Sequence, residues 1–110
     1  MEEMVMKCFE IIAAVGMART CFVQAMESAR KGDFEGAEQK MAEGNESLVS
    51  GHTAHTEFVQ QEAAGDHVEV HLFLVHAEDQ LMSAETCKIM AGELIHVYRE
   101  LAALKNGGNS

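Results

Sequence analysis

Proline and tryptophan are absent from this chain of 110 residues, and its aromatic side chains are five phenylalanines and one tyrosine. Proline is the residue least compatible with a helix interior, whereas alanine and glutamate, the commonest residues here, both favour helices, as do leucine and methionine. The composition is therefore typical of a helical bundle. With 47% hydrophobic residues the chain has material for one core, so we expect a single domain.

Paired cysteines are also missing. Cys8, Cys21 and Cys87 are odd in number and form no Cys-x-x-Cys pair, which argues against a disulfide framework or a zinc site. We interpret them as small core residues in a reducing compartment.

Basic residues are scarce: eight Lys and Arg stand against 18 Asp and Glu, for a formal charge of −10. This negative charge would repel a phosphate backbone, so we do not expect nucleic acid as a partner. The same charge favours a partner protein with a basic patch. The alternative is that it only keeps the protein soluble.

Signals for a membrane or a nucleotide are lacking as well. The apolar stretch 11–18 is flanked by Lys7, Glu10 and Arg19 and is too short to span a bilayer. Glycine-rich phosphate loops and the Gly-x-Ser-x-Gly elbow do not occur. We expect a cytoplasmic protein with no direct membrane insertion.

Apolar residues recur every three or four positions and predict an all-α, antiparallel three-helix bundle with helices at about 3–31, 33–63 and 67–105. Gly32 is suited to end the first helix and Asp33 to cap the second. Because the connection is so short, these two helices should form a hairpin. Residues 1–105 are then one domain, and 106–110 a disordered tail.

Three glycines bear on the packing and continuity of the predicted helices. Gly16, inside the first helix, suggests close approach of another helix. The continuity of the second helix stays open: glycine and asparagine weaken helix interiors, so a break near Gly44-Asn45 or Ser50-Gly51 is an alternative to one helix over 33–63.

The third helix has an apolar seam that passes through Asp79. It comprises Val68, Leu72, Val75, Met82, Thr86, Met90, Leu94, Val97, Leu101 and Leu104.

His76 and Asp79 interrupt the most apolar stretch of the chain, 70–82. Their spacing of three places both side chains near one face of a helix, where a carboxylate can orient an imidazole for nucleophilic or proton-transfer chemistry. An ordinary surface pair has the same spacing, so the pattern alone leaves the choice open.

Other histidines offer weaker candidates. His52 with His55, and His67 with His71, are each spaced to form half of a transition-metal site. Glu93 and His96 match one Glu-x-x-His element of a di-iron bundle, which needs two such elements. A histidine-rich metal-binding bundle is thus a further hypothesis.

The stretch Leu74-Val75-His76-Ala77-Glu78-Asp79-Gln80-Leu81-Met82 resembles the lactose/cellobiose-type IIA component of the bacterial phosphoenolpyruvate-dependent sugar phosphotransferase system. Its pattern there is close to Val-His-Ala-Gln-Asp-His-Leu-Met. The resemblance covers nearly the whole chain, including Ala18-Arg19, residues 31–34 at the first turn, residues 61–63 and the long third helix.

The resemblance implies a phosphoryl carrier for disaccharide uptake. His76 would accept phosphate from the carrier protein HPr and pass it to a cysteine of a IIB component, which serves the membrane component IIC. It also implies a nine-helix homotrimer in which Asp79 lies near the threefold axis. Three carboxylates there can hold one Mg²⁺ per trimer, since a hard cation relieves their repulsion.

Three positions depart from the family pattern. Glu78 and His55 stand where glutamine is common, and Gln80 where histidine is common. Gln80 can still support a phosphoryl group by donating a hydrogen bond, although it cannot share protons. We expect Glu78 to point away from His76, because an acid facing a phosphohistidine would repel it. The alternative function is a non-catalytic helical interaction or regulatory module that keeps the family fold.

Overall fold

A computed structural model describes residues 2–107, and within that range the chain is entirely helical apart from its connections. The helices are α1 (Glu2–Arg30), α2 (Phe34–Ala63) and α3 (Leu72–Gly107). α2 runs antiparallel to α1 and α3, and the bundle measures 65 × 20 × 19 Å. The predicted all-α three-helix protomer is confirmed.

The turn between α1 and α2 forms as its residues predict. Gly32 has a φ of 86°, the left-handed conformation that glycine adopts without strain. Asp33 then caps α2, because its Oδ1 accepts a hydrogen bond of 2.9 Å from the backbone N–H of Gly36. Two residues thus end one helix and start the next.

Helix α2 is continuous from 34 to 63, as the predicted bounds of 33–63 imply, and neither alternative break occurs. Gly44 and Gly51 are both buried against α1. A Cβ added at Gly44 would lie 2.6 Å from Cε1 of Phe22, and one at Gly51 would lie 2.7 Å from Cγ1 of Val15. These glycines permit close helix packing, and the van der Waals attraction between the packed helices offsets their weak helix propensity.

Gly16 does not have the role we expected of it. An added Cβ there would meet no atom within 4 Å, so no described neighbour requires glycine at this position of α1.

Helix α3 begins later than predicted and ends later. Residues 66–71 form a non-helical connection, and the first helical residue is Leu72. The carboxylate of Glu62 accepts a hydrogen bond from the backbone N–H of Val68, which holds the connection against α2. At the other end, Asn106 and Gly107 belong to the last turn of α3. Residues 108–110 of the predicted tail lie outside the described range.

The core lies between α1 and the other two helices. From its second turn onward α1 buries one residue in every turn, at Cys8, Ile11, Val15, Ala18, Phe22, Ala25 and Ala29. α3 buries a matching row, at Leu74, Ala77, Leu81, Ala84, Ala91 and Ile95. This row differs from the apolar seam we identified in the sequence, whose members are mostly exposed, from 45% at Val97 to 79% at Leu72.

By length and composition alone, α1 contains an 18-residue window apolar enough to cross a membrane. A third of that window is buried inside the bundle. The central helix of a packed bundle has the same composition, so the apolar character of α1 is accounted for by its contacts with α2 and α3.

Candidate functional site

His76 lies in the second turn of α3, and its side chain is exposed. Within residues 2–107 its imidazole makes no hydrogen bond or ion pair, which distinguishes it from the other five histidines. An exposed imidazole without a partner keeps its ring nitrogens free to react.

Two contacts between α1 and α3 bracket His76. Before it, the rings of Phe9 and Phe73 pack with their centroids 5.2 Å apart. After it, Nη1 of Arg19 donates a hydrogen bond of 3.3 Å to Oγ of Ser83. His76 therefore lies on the side of α3 that adjoins α1, and we call this side the α1 flank. Gln80, one turn further along, is half-buried on the same flank.

The start of α3 is held by His71, a residue whose spacing suggested only a metal ligand. Its Nδ1 accepts a hydrogen bond of 3.3 Å from the backbone N–H of Leu74, and its carbonyl accepts one from Val75. Since Nδ1 accepts, the proton is on Nε2, which donates to Sδ of Met4 at 3.0 Å. This cap links α1 to the turn that precedes His76, and no spacing rule would have identified it.

Glu78 points away from His76, as expected. Successive helix residues are rotated by about 100°, so Glu78 lies about 160° around α3 from His76. Its Oε1 is 2.6 Å from Nδ1 of His55 on α2. Two of the three departures from the family pattern therefore contact each other.

The remaining histidines pair with carboxylates. Nε2 of His52 lies 3.0 Å from Glu85, and Nδ1 of His67 lies 3.6 Å from Glu62. His96 lies 3.4 Å from Glu100, not from a second metal ligand. Across residues 2–107, no three His, Cys, Asp or Glu side chains come together as a metal site. The hypothesis of a histidine-rich metal site within one chain gains no support.

Asp79 is exposed on the outward side of α3, between Val75 and Met82. It has no hydrogen-bond or ion-pair partner in the described part of the chain. A carboxylate is the hard oxygen ligand that Mg²⁺ prefers. One chain supplies a single such ligand here, so the residue fits a metal site only if several copies bring their Asp79 side chains together.

Charge is distributed unevenly along the bundle. The end that carries His76, residues 2–10 and 57–79, contains nine acidic residues and one basic residue, Lys7. The rest of the chain, 11–56 and 80–107, has nine acidic and seven basic residues. We call the first region the acidic end. Lys7 is paired with Glu57, which leaves most of the acids there uncompensated.

The cysteines play no part in this site. All three are free thiols. Burial raises the pKa of the Cys8 thiol, with a further contribution from the charge of Glu78, and burial also raises the pKa of Cys87. Both thiols are therefore protonated and unreactive at neutral pH.

A groove of about 870 Å³ lies between α2 and α3, away from the α1 flank. Its lining combines apolar Leu48, Val49 and Ile89 with the His52–Glu85 pair. His76 is not part of its lining, so this cavity is separate from His76.

Comparison with known proteins identifies relatives over most of the chain. Residues 6–99 match the family described as the lactose/cellobiose-specific IIA subunit of the PTS system. The lichenan-specific phosphotransferase enzyme IIA component of Bacillus subtilis is 40% identical over 100 residues, which is 91% of each chain. The lactose-specific EIIA component of Streptococcus mutans is 34% identical over 98 residues, covering 89% of this chain and 94% of that one.

Solved structures agree with the sequence matches. The crystal structure of the PTS cellobiose-specific enzyme IIA from Bacillus anthracis superposes with a TM-score of 0.87 at 35% identity, covering 89% of this chain and 90% of that one. PtcA from S. mutans superposes with a TM-score of 0.88 at 34% identity, covering 90% and 97% of the two chains.

Proposed function

The chain belongs to the lactose/cellobiose-specific IIA family of the phosphotransferase system, and we propose on this basis that it carries a phosphoryl group on His76 during sugar uptake. The observation that supports this residue most directly is its geometry. His76 is the exposed histidine without a partner among the described residues, and it lies on a helix turn that the His71 cap holds in place.

The proposed reaction is a two-step relay. An unprotonated ring nitrogen of His76 attacks the phosphorus of phospho-HPr in line, and the bond from phosphorus to the donor nitrogen breaks as the new one forms. A cysteine thiolate of the IIB component then attacks the same phosphorus, and the electron pair returns to the His76 nitrogen. Neither step needs ATP or water. The IIB component acts together with the membrane component IIC. Because the carrier exchanges its phosphoryl group with HPr and IIB, we expect it in the cytoplasm.

Exposure of His76 serves this relay, because two large partners must reach the same nitrogen in turn. Gln80 follows it by one turn on the α1 flank. Its amide can donate a hydrogen bond to a phosphoryl oxygen, a supporting role that leaves the proton balance unchanged.

Assembly into a homotrimer is part of the proposal. Leu72, Val75, Met82, Met90 and Val97 form an exposed apolar stripe on the outward side of α3, and such a stripe is usually covered by another protein surface. If three copies cover it mutually, their Asp79 carboxylates converge. Three Asp79 side chains would then hold one Mg²⁺, whose charge offsets their repulsion.

The test is transfer of radiolabel from phosphoenolpyruvate through enzyme I and HPr. The protein should acquire an acid-labile phosphate, and His76→Ala should abolish it. His96→Ala is the matched control, because His96 is exposed on the same helix but far from the acidic end. It should be labelled as fully as the wild type.

A wild-type protein that stays unlabelled would reject the carrier role. The alternative, a non-catalytic interaction module, predicts that result together with partner binding that His76→Ala leaves unchanged.

A further inference from the structure

Exposed aromatic rings are rare in this protein. Of its six aromatic side chains, Phe22 and Phe58 are buried, while Phe34 and Tyr98 are half-buried. Only Phe9 and Phe73 are exposed, at 46% and 43%, and they pack against each other with their ring planes 58° apart. The aromatic residues that remain accessible to a partner are thus concentrated in one place.

This pair is close to the reactive residue. Phe73 precedes His76 by three residues, so the two side chains adjoin on the α1 flank. The His71 and Phe73 rings pack in a T-shaped arrangement, with their centroids 6.2 Å apart. Because His71 also caps α3, the Phe73 ring is supported on two sides. A rigid aromatic pair loses little conformational entropy on binding, which makes it effective as an anchor in an interface.

The pair is not part of the stripe that would face other copies of the chain. Phe73 lies about 120° around α3 from Asp79, given a rotation of about 100° per residue. Phe73 therefore lies off the stripe through which the proposed trimer would form.

The charge around the Phe9–Phe73 pair indicates which kind of partner surface would bind there. The pair lies within the acidic end, where Glu10 and Glu69 are exposed and form no ion pair in the described part of the chain. An apolar centre with an acidic surround is complementary to a protein surface that has an apolar centre and a basic surround.

We propose that Phe9 and Phe73 form the apolar anchor at which the phosphoryl-donor protein docks, with Glu10 and Glu69 facing basic residues of that donor. This inference rests on the proposed function, since the donor is the phosphorylated carrier protein that supplies His76. The anchor positions the donor, while His76 alone takes part in the bond exchange.

Steady-state transfer from phospho-HPr tests the anchor. Phe9→Ala should raise KM at least about tenfold and leave kcat close to the wild-type value, as expected when a central aromatic contact is lost. Val59→Ala is the control, because Val59 is a 51% exposed apolar residue on α2, outside the α1 flank. Its KM should match the wild type.

A second variant tests the charges without disturbing any packing. The double substitution Glu10→Gln with Glu69→Gln should raise KM severalfold at low salt and flatten the dependence of kcat/KM on ionic strength, because screening then has less attraction to remove. Glu46→Gln, an exposed acid of α2 outside the acidic end, should change neither quantity.

The outcomes separate this proposal from the one before it. If His76 is labelled normally and KM is unchanged in both the Phe9 and the glutamate variants, the docking surface is wrong and the carrier function stands. If Phe9→Ala instead alters the sedimentation coefficient, the pair belongs to an interface between copies, and the docking proposal is overturned. If the wild type is never labelled, both proposals fail together.

Discussion

The two sides of α3 are both apolar but are built from different residues. The inward side carries Leu74, Ala77, Leu81 and Ala84, all buried against α1 and α2. The outward side carries Val75, Asp79 and Met82, all exposed. Alanine alternates with leucine only on the inward side, where neighbouring helices approach closely. Small residues, more than hydrophobic ones, therefore mark the side that belongs to the protomer core.

The two sides of α3 therefore have different roles. The inward side stabilises the single chain, whereas the outward side and the α1 flank are available for other molecules. Substitutions on the two sides should therefore affect different measurements, and four experiments can test whether they do.

The largest effect should come from Leu81→Ala on the inward side. Leu81 is only 2% exposed, and removing its side chain leaves a cavity, so we expect a loss of about 2–5 kcal/mol in the free energy of unfolding. Urea unfolding at several protein concentrations measures it. Met82→Ala, one residue away on the outward side, should alter mainly the concentration dependence. Equal, concentration-independent losses in both variants would contradict the division between the two sides.

Glycine-to-alanine substitutions extend the comparison to α2. Gly44→Ala places a methyl group against the Phe22 ring and should destabilise the protein by about 1–3 kcal/mol through overpacking. Gly92→Ala on α3, where no atom lies within 4 Å of the new Cβ, should stabilise it by up to about 1 kcal/mol. Thermal melts of the two variants should shift in opposite directions; shifts of the same sign would disprove the close packing at Gly44.

Asp79→Leu tests the outward side directly. In the proposed trimer, replacing the three Asp79 carboxylates by apolar side chains should keep the assembly intact or tighten it, by on the order of 1 kcal/mol. Sedimentation equilibrium measures the change. A chelator should weaken the wild-type assembly if Mg²⁺ offsets the repulsion, and should leave the Leu variant unaffected. A wild-type protein that is monomeric at micromolar concentration would remove the basis of this prediction.

The smallest effect concerns the contact between α2 and α3. His55 and Glu78 retain 27% and 32% side-chain exposure, so solvent screens their interaction. A double-mutant cycle with His55→Gln and Glu78→Gln should give a coupling free energy of about 0.2–1 kcal/mol that declines in high salt. A coupling of several kcal/mol would show that the pair is far less accessible than its exposure indicates.

Local rules predicted the fold well where local chemistry decides it. Gly32 and Asp33 end α1 and cap α2 as their residue types require. Tertiary contacts decided the rest. Gly44 and Gly51 raised the possibility of a break, but in the structure they allow α2 to pack closely against Phe22 and Val15, which are distant in sequence. The late start of α3 depends on His71, whose capping contact no periodic pattern reveals.

The assignment of the reaction to His76 stays a prediction. The sequence drew attention to His76 because it interrupts an apolar stretch, but the reaction itself came from the resemblance to a family and not from spacing. The contact between His55 and Glu78 joins residues 23 positions apart on different helices, and helical periodicity relates only positions within one helix. Which apolar stripe of α3 is buried could not be read from hydrophobicity, because both sides are apolar.

The direction of the helices has a consequence for the acidic end. α1 and α3 both begin there, at Glu2 and Leu72, while α2 ends there. Each helix start carries a partial positive charge from its aligned peptide dipoles. Two such starts side by side lower the electrostatic cost of gathering carboxylates, with Glu2 and Glu3 in the first turn of α1 best placed to benefit. The up-down-up path of the backbone thereby helps this protein to keep a strongly negative surface beside His76.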